Sequence, residues 1–382
     1  MSQKRNIFED VGAGAPEPGA PAPKGGMIDQ GHGGARGAIR AWLIMLFALV
    51  VIMIAVGGLT RLTDAGLSIT EWKPVTGALP PMSDADWQAE FAKYQAIPEF
   101  QIQNSWMELS DFKKIYWWEW GHRQLGRMIG LVWAIGFLAF FVLRKIPTGW
   151  TGRLLLVGGL GGLQGAVGWW MVHSGLSGSM TDVASYRLAT HLGLAFVILG
   201  FLGWYAMLLS RADRDLIQAR RGREAKLFSL STGWMHFAFL QILIGALVAG
   251  IDAGRSFADW PLMGGGFLPP DMMLFEPMWR NFFENPGTVQ FIHRMVGYVL
   301  LVFSIMVWMR GRRSANSATR VAFNAAFIAL LLQIGLGIAT VVSGAPWQVA
   351  ILHQMLAVGV WVFILRARFL TQYPLPQSVR GR

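Results

Sequence analysis

Residues 41–60 read AWLIMLFALVVIMIAVGGLT, an apolar run without a charged side chain. About 20 such residues are what an α-helix needs to cross the hydrocarbon layer of a bilayer. Further apolar stretches of similar length follow, and in lipid each has to be helical because a helix satisfies its own backbone N–H and C=O groups. The predicted spans are residues 41–60, 124–143, 154–173, 188–209, 233–251, 289–309, 321–342 and 347–365.

The composition supports a membrane protein. Of 382 residues, 53% are hydrophobic and 14% are charged, whereas soluble domains carry about 25% charged residues. We therefore predict an all-α integral membrane protein with eight transmembrane helices. The sequence has no cysteine, which excludes disulfides, thiolate-bound metals and a thiol nucleophile. The net charge of +11 comes largely from loops beside the spans, which indicates a lipid bilayer as the partner and argues against nucleic acid.

Lysine and arginine are concentrated in the loops on one side of the spans. Residues 144–153 contain three bases and no acid, whereas residues 61–123 contain nine acids and six bases. Basic loops face the cytoplasm, so we predict a multi-pass protein of a bacterial inner membrane with both termini cytoplasmic and two long periplasmic loops. Residues 1–38, with nine glycines and four prolines, are predicted to be a disordered cytoplasmic tail.

Motifs of the first four spans recur, in the same order, in the last four. The matching segments are Asp64-Ala65-Gly66 with Trp72 and Asp252-Ala253-Gly254 with Trp260, His122-Arg123 and His293-Arg294, Leu163-Gln164 and Leu332-Gln333, and His191 and His353. We therefore predict two four-helix bundles related by a pseudo-two-fold axis along the membrane normal. The predicted division is an N-terminal unit at 39–210, a cytoplasmic linker at 211–232, a C-terminal unit at 233–368 and a cytoplasmic tail at 369–382.

Four of the seven histidines belong to this repeat and are predicted near the periplasmic ends of their spans: His122, His191, His293 and His353. Each unit thus offers two imidazoles from two different helices at one membrane depth. A zinc site would need three or four ligands, whereas two imidazoles suit the axial ligation of a haem iron inside a helical bundle. The alternative is that each histidine forms a hydrogen bond between helices.

The two halves differ beside their histidines. Glu119 lies three residues before His122, on the same helix face, and the corresponding residue before His293 is Gln290. A carboxylate next to a flat buried site can act as a base or stabilise a developing cation. We predict that the N-terminal site does the chemistry and that the C-terminal site holds a permanent redox haem. The alternative is an i,i+4 ion pair between Glu119 and Arg123.

Arg123 and Arg294 directly follow a repeat-related histidine. Haem propionates are anionic, and a guanidinium group can bind a carboxylate through two hydrogen bonds. We predict these arginines as propionate partners, with snorkelling to lipid headgroups as the alternative. His173 and His236 have no repeat-related histidine and are predicted to be packing residues or residues that support the site ligands.

The first long loop is predicted to contain a helix of its own. Ser83 and Asp86 form a capping-box pattern, and Trp87, Phe91 and Tyr94 follow at helical spacing. We predict a short amphipathic helix on the outer leaflet. The first loop is also longer than the second, which fits a cover over the N-terminal site.

Taken with their order, these motifs closely resemble those of the haem A synthase family. The segments are GGLTRLTDAGLSITEWKPVTGALPP (57–81), YWWEWGHRQLGR (116–127), LQGAVGWWMVHSGL (163–176), ATHLGLAF (189–196), FIHRMVGY (291–298) and ILHQMLA (351–357). The resemblance covers residues 41–368. The absence of cysteine is typical of the subfamily, found in proteobacteria and mitochondria, that lacks a cysteine pair in the outer loop.

The resemblance implies an oxidoreductase that converts the C8 methyl group of haem O into the formyl group of haem A, for cytochrome c oxidase. Two successive hydroxylations would be involved, with electrons passing through haem b. His293 and His353 would then ligate the iron of haem b, and His122 and His191 would face the iron of the substrate haem O. Glu119 matches the acid of the family's E-x-x-H motif, which implies a catalytic role beside the two substrate-site histidines.

The partners implied by the resemblance are haem O, the farnesyltransferase that forms haem O, and assembly factors of cytochrome c oxidase. A homo-oligomer is left open. Two other classes of function stay as alternatives. A dihaem electron-transfer cytochrome, such as a quinol or ferric reductase, would explain four axial histidines but not the difference between Glu119 and Gln290. A transporter or haem chaperone would explain the duplication, but transporters place ionisable residues at the midplane of the membrane.

Overall fold

The predicted spans are helices in the computed structural model, which describes residues 35–178 and 180–377. In chain order the α-helices of these residues are α1 (Arg36–Leu62), α2 (Asp84–Gln95), α3 (Pro98–Ile102), α4 (Leu109–Val142), α5 (Thr151–Val172), α6 (Ser185–Leu209), α7 (Asp213–Arg221), α8 (Ala225–Gly250), α9 (Asn281–Glu284), α10 (Pro286–Gly311), α11 (Ser317–Val342) and α12 (Trp347–Gln372). Eight of these helices are long and apolar enough to cross a membrane: α1, α4, α5, α6, α8, α10, α11 and α12. The prediction of an all-α protein with eight spans is confirmed.

Several helices begin earlier than predicted. The start of α4 is Leu109 rather than residue 124, and α8 starts at Ala225 rather than residue 233. Hydropathy marks where a helix enters lipid, whereas the hydrogen bonds of the backbone continue through a polar segment. In α4 the added turns carry Phe112 and Tyr116, both buried, so packing on the rest of the first loop holds them helical.

The predicted tails and linker also contain helix. Residues 36–38 belong to α1, the predicted linker at 211–232 contains α7 and the first turns of α8, and the predicted C-terminal tail at 369–382 begins inside α12. The rest of the predicted N-terminal tail, up to residue 34, and residues 378–382 lie outside the described residues.

Contacts between helices repeat in the two halves. α1, α4, α5 and α6 pack around one another in chain order, and α8, α10, α11 and α12 do the same. The halves meet where α6 packs on α8 and where α1 packs on α12, the pattern that a two-fold relation predicts. Phe196 of α6 and Trp361 of α12 lie in this central core, with ring centroids 6.2 Å apart.

Arg61, at the end of α1, links the halves on the side of the long loops. Its guanidinium group contacts Asp64 at 2.9 Å and Asp252 at 2.8 Å, the two repeat-related aspartates. Both aspartates have a left-handed backbone, with φ of 51° and 50°, a conformation that aspartate tolerates better than most residues. The repeated Asp-Ala-Gly motif is therefore a turn that ends α1 and α8.

The helix predicted in the first long loop is α2. Its capping box is present, because the Asp86 N–H donates to Ser83 Oγ at 3.2 Å and the Ser83 N–H donates to Asp86 Oδ2 at 3.0 Å. Trp87 and Tyr94 of α2 are buried, and their rings contact Tyr116 and Phe112 of α4. The apolar face of α2 thus packs on the outer extension of α4.

Glycines allow large aromatic rings to lie against the helix backbone. A Cβ atom on Gly158 of α5 would overlap the ring of Trp133 on α4, whose Nε1 donates to Leu154 O at 3.1 Å. The next residue, Gly159, has no described atom of another residue within 4 Å of a Cβ position. Gly158 therefore has no room for a side chain, whereas the adjacent Gly159 does.

We expect Gly158→Ala to destabilise the protein by about 1–3 kcal/mol, because Trp133 has to move or lose its hydrogen bond. Gly159→Ala is the matched control and should be neutral or stabilise by about 0.5–1 kcal/mol, since alanine favours a helix. Thermal unfolding in detergent measures both. Equal melting temperatures for the two variants would contradict this account of α4–α5 packing.

Candidate functional site

The four repeat-related histidines lie on α4, α6, α10 and α12. His191, His293 and His353 are six or seven residues from the start of their helices, which places each about 9–11 Å along the axis. His122 is further along α4 because that helix extends beyond the bundle. His122 and His191 lie in the unit formed by α1, α4, α5 and α6, and His293 and His353 lie in the unit formed by α8, α10, α11 and α12. Each predicted pair is therefore contained in one unit.

Every one of these imidazoles lies against a glycine of a neighbouring helix. The distances from a Cβ position on the glycine to the nearest ring atom are 3.2 Å for Gly57 and His122, 2.8 Å for Gly168 and His191, 3.1 Å for Gly245 and His293, and 2.8 Å for Gly337 and His353. A side chain on the glycine would press on the ring. The rings themselves are only partly exposed, so each lies deep in its bundle.

Glu119 is a buried carboxylate whose two oxygens are both fully engaged. Oε2 accepts from Ser68 Oγ at 2.7 Å and from the Ile69 N–H at 2.8 Å, and Oε1 accepts from Arg123 Nη2 at 2.6 Å and Nε at 3.0 Å. The predicted alternative, an ion pair with Arg123, is therefore present. Glu119 ties the segment after α1 to α4 while it stays three residues from His122.

The corresponding residue of the second half, Gln290, forms fewer hydrogen bonds with the loop than Glu119 does. Its Nε2 donates to Phe257 O at 3.0 Å, while its Oε1 is buried and has no partner in the described part of the chain. Ser256 and Phe257 occupy the repeat positions of Ser68 and Ile69. The two halves thus differ at this position as predicted. Both oxygens of Glu119 accept hydrogen bonds, whereas Gln290 donates one hydrogen bond and its oxygen accepts none from the described residues.

Arg123 and Arg294 bind loop carbonyls in the same way. Their bonds are Arg123 to Ile69 O (2.7 Å) and Glu71 O (3.0 Å), and Arg294 to Phe257 O (3.0 Å), Asp259 O (2.9 Å) and Leu262 O (2.9 Å). Most of their donors therefore fasten the outer segments to the bundles. Arg294 Nε is buried and has no partner among the described residues. Propionate binding by these arginines stays a prediction.

A cavity of about 460 Å³ opens beside Arg123, between α4 and the first long loop. Its walls include Tyr116, Trp120 and Arg127 of α4 and the Leu79-Pro80-Pro81 segment of the first loop. This volume lies within the range of small-molecule sites. The longer first loop thus encloses space beside Arg123, but neither His122 nor His191 lines this cavity, and its role as a cover of the N-terminal site stays a prediction.

Glu99, in the short helix α3, is a second buried acid of the first loop. It is 3% exposed, Asn104 Nδ2 donates to its Oε1 at 3.3 Å, and its Oε2 has no partner among residues 35–178 and 180–377. Burial, with the negative charges of Asp182 and Glu119, raises the pKa of Glu99 from 4.5 to about 8. The folded loop therefore holds this proton more tightly than the unfolded chain does.

This raised pKa predicts a pH dependence of the outer loop. The stabilising contribution of protonated Glu99 is complete below pH 4.5 and is lost as the pH rises towards about 8. We expect Glu99→Gln to stabilise the loop by about 1–3 kcal/mol at alkaline pH, because the amide carries no buried charge, and to change little at acidic pH. Hydrogen exchange of residues 84–102 as a function of pH measures this.

The exposed Glu108 supplies the matched control, since Glu108→Gln removes a carboxylate of the same loop without relieving a buried charge. The explanation fails if wild type and Glu99→Gln lose protection in parallel between acidic and alkaline pH.

Fold and site together define a multi-pass membrane protein with two internal imidazole pairs. The sequence profile of the COX15-CtaA family of cytochrome oxidase assembly proteins matches residues 40–365. Haem A synthases of Ruegeria pomeroyi and Roseobacter denitrificans are 69% and 66% identical over the whole of both chains, and that of Paracoccus denitrificans is 60% identical over 99% of each chain. The chain belongs to the COX15-CtaA family, and the predicted resemblance is confirmed.

Other contacts of the site were not predicted. Gln164, Gln241 and Gln333 each donate to the backbone carbonyl of a repeat-related histidine. The repeat placed Gln164 and Gln333 at equivalent positions but gave them no role, and Gln241 has Met53 at its equivalent position. His173 and His236 are both exposed. The His173 ring contacts Trp169 edge-on with centroids 6.4 Å apart, and His236 Nδ1 lies 2.9 Å from Thr232 O. The role of these two histidines stays a prediction.

Proposed function

We propose that this chain is a haem A synthase, which oxidises the C8 methyl group of haem O to a formyl group. The substrate haem O would lie between His122 and His191, and haem b between His293 and His353. The observation that carries this proposal is the duplicated imidazole pair with a buried carboxylate, Glu119, beside only one copy. The high identity to named haem A synthases over the whole chain supports the activity and the enzyme class.

The imidazole pairs suit a flat ligand that brings its own metal. No group of three or more His, Asp or Glu side chains in the described residues is placed to hold an ion, and two imidazoles are the usual complement of a porphyrin iron. The glycine behind each ring, such as Gly245 behind His293, keeps the imidazole against the helix backbone. The space between the helices is then left to the ligand.

The reaction requires a path for electrons. Conversion of a methyl group into a formyl group removes four electrons and inserts one oxygen atom. Haem b, when bound, supplies one-electron transfer. His293 and His353 would hold that group in the bundle that contacts α6 and α1, next to the proposed substrate site.

Glu119 acts in this proposal as a fixed negative charge. Four donors hold its oxygens, so the carboxylate cannot turn towards a proton without breaking this network. A preorganised charge stabilises positive charge that develops nearby in the transition state and needs no rearrangement to do so. Gln290 at the equivalent position supplies no such charge.

A dihaem electron-transfer cytochrome, such as a quinol or ferric reductase, is the alternative. One observation favours it: the bonds of Glu119 to Ser68, Ile69 and Arg123 would suffice to explain this residue as a structural tie. Both functions use the same four histidines, so the pigments and the role of Glu119 distinguish them.

The arrangement in the membrane follows from the loops. The units at 39–210 and 233–368 would hold haem O and haem b respectively, with both termini in the cytoplasm and the histidine pairs near the periplasmic side of a bacterial inner membrane. The asymmetry of basic residues supports this orientation. The farnesyltransferase that forms haem O and assembly factors of cytochrome c oxidase are the partners that the reaction and the family suggest.

Single histidine substitutions should separate the two sites. We expect His293→Ala or His353→Ala to remove most of the b-type haem, because one axial ligand is lost, whereas His122→Ala and His191→Ala should retain haem b and form no haem A. Pyridine-haemochrome spectra of membranes and purified protein measure both. His236→Ala, at an exposed position, is the control. Two equivalents of haem b and no haem O or haem A in the wild type would instead indicate the cytochrome.

Substitution of Glu119 tests the role of its charge. We expect Glu119→Gln to reduce formation of haem A by at least about 100-fold, the usual lower range for the loss of one group that stabilises transition-state charge, while haem b is retained. Ser68→Ala is the matched control, since it removes one bond to the carboxylate but keeps the charge, and should retain most activity. Equal losses in both variants would mean that Glu119 only ties the loop.

A further inference from the structure

The two units differ in the space between their second and third spans. In the N-terminal unit this space lies between α4 and α5 and runs from the level of the histidine pair away from the long loops. Its far end is closed by Trp133 of α4, whose ring packs on Gly158 of α5. Gly168, which faces His191, follows Gly158 by ten residues, so the space extends about 15 Å along the helices.

Three glycines face this space. Gly161 and Gly165 lie three and seven residues after Gly158, on the same side of α5, and Gly130 lies three residues before Trp133 on α4. Glycines in membrane helices commonly let two helices approach closely. These three do not, because no atom of a neighbouring helix in the described part of the chain lies within 4 Å of their Cβ positions. Helix packing therefore does not explain them.

The C-terminal unit has large apolar side chains at the same positions. The repeated histidines and glutamines fix the alignment of the halves. This alignment pairs each glycine with a branched residue: Gly130 with Leu301, Gly161 with Leu330, and Gly165 with Ile334. Leu330 is 4% exposed, and Leu301 and Ile334 pack against the apolar core that contains it. The C-terminal bundle is thus filled where the N-terminal bundle is open.

The closed end of the space shows that the halves can conserve volume. Trp133 and Gly158 correspond to Ser304 and Phe327, so one large ring and one small residue are present in both units, on exchanged helices. Phe327 is buried and stacks on Trp308 with ring centroids 4.6 Å apart. Nearer the histidines no such exchange occurs, because the three glycines have no large residue opposite them. The missing volume is therefore specific to this part of the N-terminal unit.

The helices that border the space are also the least enclosed of their unit. α4 and α5 have a smaller share of buried residues than α1 and α6, and a smaller share than their equivalents α10 and α11. Exposed apolar side chains flank the glycines, among them Leu131 of α4 and Leu163 of α5. The space thus lies at an edge of the unit that faces lipid, and an apolar group is the occupant that its walls suit.

We infer that the three glycines admit the isoprenoid chain of haem O into the N-terminal unit, and that Leu301, Leu330 and Ile334 exclude that chain from the C-terminal unit. This inference rests on the proposed haem sites. Haem O carries the chain that a farnesyltransferase adds, and haem b carries none. A space without protein atoms forfeits van der Waals contacts unless something fills it. The unit with the open space is the one assigned to the haem with the chain.

The test fills the space with side chains copied from the C-terminal unit. Purified Gly161→Leu/Gly165→Ile protein is titrated with haem O and, separately, with haem b, and the Soret band reports binding to the N-terminal unit. We expect haem O to bind at least about tenfold more weakly than to the wild type, because the chain overpacks the filled space. Binding of haem b should be unchanged, since Ile334 occupies the equivalent position in the proposed haem b site.

Gly159→Ile is the matched control. Gly159 also has open space at its Cβ position, but it lies about 100° around α5 from Gly158, and its equivalent, Ile328, is 56% exposed. We expect this variant to bind both haems as the wild type does. Both variants should melt at or above the wild-type temperature, since each replaces glycine within a helix where space is free. A lost fold would then not explain weaker binding of haem O.

Leu330→Ala tests the exclusion from the C-terminal unit. The variant is made in a His191→Ala background, which removes one proposed ligand of the substrate site, so retained haem O reports on the other unit. We expect the purified protein to contain several-fold more haem O relative to haem b than its His191→Ala parent. Pigment extraction measures this ratio, and an unchanged ratio contradicts the exclusion by Leu330.

The results separate this inference from the proposed function. Unaltered binding of haem O to the filled variant, or equal losses of haem O and haem b, overturns the inference and leaves the function standing. A changed oligomeric state with unaltered binding of haem O would assign the glycines to a contact between copies and also overturns it. Wild-type protein that binds haem b and no haem O overturns both.

Discussion

The contact between an imidazole and a glycine on the next helix is what the arrangement of this membrane protein depends on. A polar ring among spanning helices is unfavourable unless the protein holds it in a defined place. Glycine has no side chain, so the ring lies on the backbone of the neighbouring helix, as His191 does on Gly168 and His353 on Gly337. These contacts set the depth and direction of the rings, and the two four-helix bundles are built around them.

The two halves share the contacts that fasten the long loops to the bundles, but they differ in residues near the histidines. Arg123 and Arg294 fasten equivalent segments through equivalent carbonyls, so both loops meet their bundles in the same way. The residues that differ, Glu119 against Gln290 and Met53 against Gln241, surround the histidines. A repeated scaffold with altered neighbours allows two copies of one site to differ in what they bind, as the proposed function requires.

Much of the fold could be predicted from the sequence because its main signals are local. Apolar runs of bilayer length located every span, and the repeat alone identified the histidine pairs. The early start of α4 was missed because residues 109–123 are held helical by packing on α2, which hydropathy does not report. The sequence placed Glu119 and Arg123 one turn apart, but the bonds from Ser68 and Ile69 to Glu119 join distant segments, and no spacing rule reveals them. The hydrogen bond from Gln241 to the backbone carbonyl of His293 also joins two helices, so the sequence alone could not predict it.

The packing between the bundles fixes the relation of the two histidine pairs. Gln354 directly follows His353 in α12 and donates to Ile54 O, three residues before the glycine that faces His122. Gly58 makes room for the amide of Gln354, since a Cβ there would overlap it. A polar bond between apolar helices has few substitutes in lipid, so it holds α12 in one register against α1. The separation of the two pairs is therefore set by helix packing inside the membrane, and the outer loops are free to differ in length without changing it.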